Sequence, residues 1–350
     1  MKVLHTEWSD GWGGQEIRII SEMEGVREKG VEVILACREG SKIKKEAIKR
    51  DFKVYTLPFR GNFDLNTIWN LMKIIKNEKV DIVNTHSGKD TWVGGISAKL
   101  VGAKFIRTRH LNNRINPSRL NFINELADFI ITTGSVVREN MIKFNRIKPE
   151  KIVSIPTGVD ENIFDPKKYN KTILRQKFNY KKPIVVGALG VLRRVKGHEF
   201  FIEAAKKILA INNNVEFVIA GDGPLRKYLE EKIGNNSNIK LLGHQNAPEF
   251  LASIDVFVLP SLNEGVPQSL IQALMMNVAS IASDVGSVQD LYKDNFLLVK
   301  PRNVEELANN IEKLIKNPNM FGNTREYMVK NFSKKVMIEK VLDVYQKVMS

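Results

Sequence analysis

Short runs of Val, Ile and other apolar residues alternate along the whole chain with longer stretches in which apolar positions recur every three or four residues. The short runs predict strands over 2–6, 31–36, 53–57, 80–85, 104–108, 128–132 and 152–155, then over 184–190, 215–220, 239–242, 255–260, 278–283 and 296–299. Val31–Ala36 and Asp255–Leu259 are apolar without clean alternation, as in parallel strands covered on both faces. Helices fall between them, for example over 13–29 and 197–211. In the second of these, Phe200, Phe201, Ala204, Ala205, Ile208 and Leu209 share one face. Strands alternating with helices predict an α/β protein of doubly wound parallel sheets. The segment from Pro156 to Pro183, with Gly158, Asp165, Pro166 and a run of lysines, reads as a domain boundary. We therefore expect two Rossmann-like domains facing a cleft, with ligands at the carboxyl ends of the strands.

Composition narrows the function. The chain has 350 residues, 43% of them hydrophobic, which suits two folded domains and excludes disorder or a fibrous repeat. The single cysteine, Cys37, cannot form an intrachain disulfide, and no Cys/His cluster has zinc spacing, so a reducing compartment and no metal are expected. No apolar run reaches the roughly 18 residues that span a bilayer, and no signal-peptide core is present, so a cytoplasmic location is expected. Of the formal charge of +15, most resides in residues 101–200, with 20 Lys and Arg against 8 Asp and Glu. This surplus includes Lys104, Arg107, Arg109, Arg114, Arg119, Lys167, Lys168, Lys171, Arg175, Lys177, Lys181 and Lys182. It suggests either an anionic partner such as phosphate or acidic lipid, or a solvated basic face. The basic residues are not interleaved with stacking aromatics, which argues against nucleic acid.

Three motifs follow predicted strands. Asp10 through Glu16, with Gly11, Gly13 and Gly14, opens a helix; its spacing is not the dinucleotide fingerprint, and it suits either close approach to a phosphate or a plain tight turn. Gly187 through His198 places Gly190, Arg193 and Lys196 before a helix, an arrangement suited to a diphosphate although it is not a P-loop. Pro260 through Met276 places Glu264, Gly265, Val266 and Pro267 ahead of a helix whose polar side carries Gln268, Ser269 and Gln272. The Glu264 carboxylate is suited to accept hydrogen bonds from two sugar hydroxyls.

Pro156 through Asp160 with Phe164 and Pro166, then Ala220 through Leu225, then Pro260 through Pro267, resemble the successive signatures of glycosyltransferase family 4. The resemblance spans almost the whole chain. It implies a GT-B fold with an acceptor-side domain over 1–165, a nucleotide-sugar domain over 166–333, and a C-terminal helix, 334–350, that rejoins the first. It implies further a retaining, metal-independent transfer of sugar from a nucleoside diphosphate to a hydroxyl of a glycan or lipid-linked acceptor, in bacterial cell-surface polysaccharide or lipopolysaccharide synthesis. No other cofactor is expected, and an anionic surface on the inner face of the cytoplasmic membrane is a further expected partner.

Position by position, Glu264 matches the acid on the donor sugar hydroxyls, Lys196 the lysine on the diphosphate, and Gly14 the glycine-rich element over the phosphates. His86 matches a histidine near the transferred sugar, with a structural histidine as the alternative; His110 is a weaker candidate. The chain departs from the family at Val191, where an arginine is usual and which Arg193 would replace, and at Gln272, where a glutamate usually grips the ribose. An amide has one acceptor oxygen in place of a charged pair. An epimerase or phosphorylase on the same fold, or a non-catalytic binder of an anionic ligand, are the rival readings.

Overall fold

A computed structural model describes residues 1–110, 115 and 122–350. Arg114 and Arg119 lie outside the described residues. The chain forms two compact units, Met1–Gly158 with Lys334–Ser350, and Val159–Ser333.

The first unit runs β1 (Lys2–Glu7), α1 (Gly14–Glu28), β2 (Glu32–Cys37), α2 (Lys42–Ile48), β3 (Lys53–Thr56), α3 (Leu65–Glu78), β4 (Ile82–Thr85), α4 (Gly88–Val101), β5 (Lys104–Arg109), β6 (Phe129–Thr132), α5 (Ser135–Asn145) and β7 (Ile152–Ser154). Its strands make one sheet of order β3-β2-β1-β4-β5-β6-β7, every pairing parallel. The second unit runs α6 (Lys171–Lys177), β8 (Ile184–Leu189), α7 (His198–Leu209), β9 (Val215–Ala220), α8 (Arg226–Ile233), β10 (Ile239–Gly243), α9 (Ala247–Ser253), β11 (Val256–Leu259), α10 (Gln268–Met275), β12 (Ala279–Ser283), β13 (Leu297–Val299), α11 (Val304–Lys316) and α12 (Thr324–Phe332). Its sheet has the order β10-β9-β8-β11-β12-β13, again parallel throughout. The last helix, α13 (Lys334–Met349), belongs to the first unit, where Met337, Ile338, Val341 and Tyr345 are buried with Ile19 and Met23 of α1.

Local chemistry sets the element ends. Asp64 caps α3 by accepting from the Thr67 amide at 3.3 Å, and Gly102, at φ +84°, ends α4 in the left-handed region that glycine enters without strain. In each unit apolar side chains pack on both faces of the sheet, which is why the strands read as continuous apolar runs.

Residues 159–165, expected with the first domain, are built into the second. Val159 and Phe164 are buried in its core, the Val159 amide donates to the Phe332 carbonyl at 3.0 Å, and Arg325 donates to the Phe164 and Glu161 carbonyls. The proline-rich composition marked the neighbourhood of the boundary, but these hydrogen bonds with α12 fix its position.

In each sheet the order of strands reverses once at its middle, between β1 and β4 and between β8 and β11. Loops leaving the carboxyl ends of two strands on either side of such a reversal diverge and leave a crevice, the usual ligand site of doubly wound sheets.

Candidate functional site

In the second unit the reversal lies between β8, which leads to Gly190 through Lys196, and β11, which leads to Ser261 through Glu264. Lys196 Nζ lies 2.7 Å from Glu264 Oε1, and the Ser261 hydroxyl donates to the same oxygen at 2.6 Å. The Glu264 side chain is only 9% exposed and that of Lys196 27%, so solvent screens the pair less than an ordinary surface pair.

Glycines bring these turns together. A Cβ on Gly197 would lie 2.0 Å from the Pro260 carbonyl oxygen, and one on Gly221 2.0 Å from that of Gly190; both backbones adopt φ values that side chains rarely allow, +64° and +143°. Arg193 is exposed and precedes a short 3₁₀ turn over Arg194–Lys196; Val191 is exposed beside it. Gly265 is half-buried, Val266 and Pro267 are buried, and Pro267 is the N-cap of α10, on which Gln272 is half-buried.

His198, first residue of α7, is buried behind Gly190, its ring Nε2 3.9 Å from where a Cβ there would stand. Burial, followed by the nearby Lys196 charge, lowers its pKa to about 4, so it is neutral at ordinary pH. The sequence motif contained His198 without singling it out; a lone polar residue opening an apolar helix face was the available signal.

In the first unit the crevice lies between β1 and β4. Gly14 is exposed at the first turn of α1, preceded by Gly13, whose amide donates to Glu16 Oε2 at 2.7 Å. Gly11 donates to Ser9 Oγ at 3.0 Å, and Ser9 and Gln15 donate to the two oxygens of Glu7 at 2.6 and 2.5 Å. Two carboxylates, Glu7 and Glu16, thus accept from this loop, an arrangement unlike the anion cradle that its glycines suggested. Burial, with Asp90 nearby, raises the Glu7 pKa to about 8 despite its donors.

His86 follows β4 and is buried. Its Nε2 lies 2.8 Å from Nδ1 of His5 on β1, and its Nδ1 lies 3.0 Å from Nε2 of His110 beyond β5. Asp90 accepts from the His86 amide at 2.9 Å and from Thr6 at 2.8 Å, fixing the turn. Beneath lie the fully buried Arg18 and Glu22 of α1, 3.7 Å apart between Nε and Oε2, with Tyr345 and Asn84 donating to Glu22. Arg18 also donates to the Ile155 carbonyl at 2.8 Å. Burial shifts both charges toward neutrality, lowering the Arg18 pKa and raising that of Glu22.

Sequence reasoning missed His5, Arg18 and Glu22. Arg18 and Glu22 are four apart on the stripe carrying Ile19, Met23 and Val26, and charges on an apolar stripe were their signal.

The basic surplus of residues 101–200 is distributed over both units. Arg107 and Arg109 are buried, which with their proximity lowers the pKa of Arg107 to about 9, and burial lowers that of Arg109 to about 10. Lys171 and Arg175 pair with Asp255, and Lys177 with Glu249. Among the described residues, no group of three or more His, Cys, Asp or Glu is placed to hold a metal ion, and no helix is long and apolar enough to cross a membrane.

Two parallel sheets, each with one reversal of strand order, give the two-unit α/β architecture of GT-B proteins. Residues 12–163 match the model of Glycosyltransferase Family 4 and residues 170–335 that of Glycosyl transferases group 1, and the chain belongs to this glycosyltransferase family. It is 29% identical to the UDP-Gal:alpha-D-GlcNAc-diphosphoundecaprenol alpha-1,3-galactosyltransferase of Escherichia coli, over 99% of this chain and 96% of that one. Among solved structures, a glycosyltransferase from Rickettsia africae ESF-5 superposes with a TM-score of 0.90 at 20% identity, covering 100% of this chain and 98% of the other. Anabaena HepE in complex with UDP gives 0.86 at 18%, covering 99% and 100%.

Proposed function

We propose that the protein is a retaining, metal-independent glycosyltransferase that moves a sugar from a nucleoside diphosphate to a hydroxyl of a glycan or lipid-linked acceptor, in cell-surface polysaccharide or lipopolysaccharide synthesis. The observation that carries this reading is the 2.7 Å contact between Lys196 and Glu264 at the β8/β11 crevice. In a nucleotide sugar the diphosphate and the sugar hydroxyls are neighbours, so a cation for one and a carboxylate for the other must also be neighbours.

Lys196 stabilises the negative charge that develops on the departing diphosphate, aided by Arg193 from the same turn. Glu264 accepts hydrogen bonds from sugar hydroxyls and fixes the orientation of the anomeric carbon. The acceptor oxygen bonds to that carbon on the face from which the diphosphate leaves, and the hydroxyl proton passes to a diphosphate oxygen. The step balances without an enzymic base, and cationic side chains take the part that a metal plays elsewhere. The E. coli relative's lipid-linked acceptor supports the acceptor class.

Peripheral attachment to an anionic membrane on its cytoplasmic side accompanies this reading. Leu65 and Trp69 are exposed on α3, and Lys73 Nζ stands 3.1 Å from the Trp69 ring centre, the pairing of apolar, aromatic and basic side chains that suits a headgroup region.

The test is transfer from a panel of nucleotide sugars to a diphosphoundecaprenyl-linked sugar with EDTA present, the product's anomeric configuration being read by NMR. The donor's configuration is expected to be retained in full activity. An inverted product, loss of turnover in EDTA, or conversion of the donor sugar with no acceptor overturns the proposal.

A further inference from the structure

Three neutral rings in a row leave little choice about where their protons sit. His86 spends both ring nitrogens inside the chain, one on His5 and one on His110. His5 Nε2, the inner end, is buried without a partner. The outer end is Nδ1 of His110, which is half-buried. Burial draws the His5 pKa to about 3 and those of His86 and His110 well below the ordinary value; His5, His110 and Arg18 add repulsion at His86, and Arg18 adds it at His110. The other ionisable groups around the chain are Glu22 of α1, Asp90 of α4, Arg107 and Arg109 of β5 and Tyr345 of α13, of which Asp90 accepts from the His86 backbone.

Each nitrogen–nitrogen contact needs one proton and each neutral ring carries one. Only two arrangements satisfy both conditions without an imidazolate or an imidazolium. If the His5 proton is on Nδ1, His86 and His110 follow on Nδ1, and the buried His5 Nε2 is a bare lone pair. If the order reverses, all three protons are on Nε2, and His5 holds a buried N–H with no acceptor. Orphaned buried N–H groups are the rarer defect, so the first arrangement prevails.

Resting on the reading that this unit receives the hydroxylated substrate, we infer that His5 and His86 are positioning residues locking His110 as a neutral Nδ1–H donor, and that His110, in place of His86, offers a ring N–H to a substrate oxygen. The oxygen is a hydroxyl or phosphate acceptor. The chain is not a proton relay: taking a proton from it leaves an imidazolate, and adding one requires a buried imidazolium. No nitrogen of His86 remains for a sugar or a metal.

The test uses the full chain with ¹⁵N-labelled histidine. Scalar couplings between ring nitrogens across the hydrogen bonds should link His5 to His86 and His86 to His110, with each proton on Nδ1 from pH 5 to 8. His5→Phe should abolish the first coupling and change the ring signals of both His86 and His110. Absent couplings, Nε2 protonation of His86, or a ring titrating near pH 6.5 overturns the lock, whatever the activity. For the substrate role, His110→Asn, whose amide nitrogen stands near the place of Nδ1, should keep transfer within several-fold of the parent. His110→Ala and His110→Gln should lose roughly tenfold or more. Equal transfer in all three, with the couplings intact, overturns the substrate role alone, while loss of donor turnover in the Lys196 and Glu264 variants tests the glycosyltransferase reading separately.

Discussion

The two units have the same sheet plan, yet their strand ends are built from different materials. Around β1, β4 and β5 the first unit buries Glu7, Asp90, His5, His86, Arg18 and Glu22 at 0–3% exposure. Around β8, β9 and β11 the second presses backbones together at Gly197 and Gly221 and sets one partly exposed ion pair on top. Buried ionisable groups hold fixed hydrogen-bonding positions, and for the histidines and Glu7 these are neutral ones, because burial penalises the charged form. Close backbone approach instead leaves side-chain charge near the surface, where an anion can meet it. The first arrangement suits recognition of neutral hydroxyls and the second a diphosphate.

The sharpest break in this contrast is Gly221→Ala. The new Cβ would meet the Gly190 carbonyl oxygen at 2.0 Å in a backbone region hostile to alanine, so strain and overpacking together should cost roughly 3–6 kcal/mol. Gly30→Ala in the first unit, also at positive φ but with open space around it, should cost about 1 kcal/mol. Thermal melts compare the two; similar losses would mean that the close approach is not what holds the β8 and β9 turns.

In the first unit the largest effect should come from Arg18→Ala. It leaves Glu22 buried beside Tyr345 and Asn84 without its cation, a loss of about 3–5 kcal/mol. The pair Arg18→Met with Glu22→Gln should recover much of this in urea unfolding. A double variant no more stable than the single one would show that Arg18 acts through its hydrogen bond to Ile155, not through charge.

Glu7 adds a pH signature. Its folded pKa of about 8 lies above the ordinary 4.5, so between these values the folded chain holds a proton that the unfolded chain has lost. Stability should therefore fall as pH rises from about 4.5 to 8, by at most about 1.4 kcal/mol per pH unit, and then level off. Glu7→Gln should flatten that slope relative to the parent. An unchanged slope would place the titration elsewhere.

In the second unit, Lys196→Ala should weaken nucleoside diphosphate binding by about 1.5–3 kcal/mol in calorimetry. Glu264→Ala should reduce transfer far more than it reduces binding of the free nucleotide, since the contacts proposed for it are to the sugar. Losses of equal size in both measurements would remove Glu264 from the sugar.

The same contrast explains what the sequence disclosed. The strand runs lie within a residue or two of the observed strands, because burial on both faces leaves unbroken apolar letters. Lys196 and Glu264 were legible because local turns with glycine and proline present them. The first unit's cluster was not. His5 sits inside a strand, Arg18 inside an amphipathic helix, and their partners come from β4, from beyond β5, and from Tyr345 at the far end of the chain. Sequence separations of that size carry no local pattern. The boundary at Gly158 was missed by a few residues for the same reason, since Phe332 determines it.

The smallest effect, and the finest test of the second unit, concerns Gln272. It lies on α10 eight residues after Glu264 and is half-buried, where the family resemblance places a glutamate against the ribose. A carboxylate accepts from both ribose hydroxyls, whereas the amide offers one oxygen, so Gln272→Glu should tighten binding of the cognate nucleoside diphosphate. The gain should be no more than about 1–2 kcal/mol, because the added charge is repelled by the nearby diphosphate. The difference between the diphosphate and its 2′-deoxy analogue isolates the ribose contribution from that repulsion, which both ligands share. If calorimetry finds that the variant discriminates between the two no better than the parent, Gln272 is not at the ribose. The proposed donor site would then rest on the Lys196 turn and Glu264.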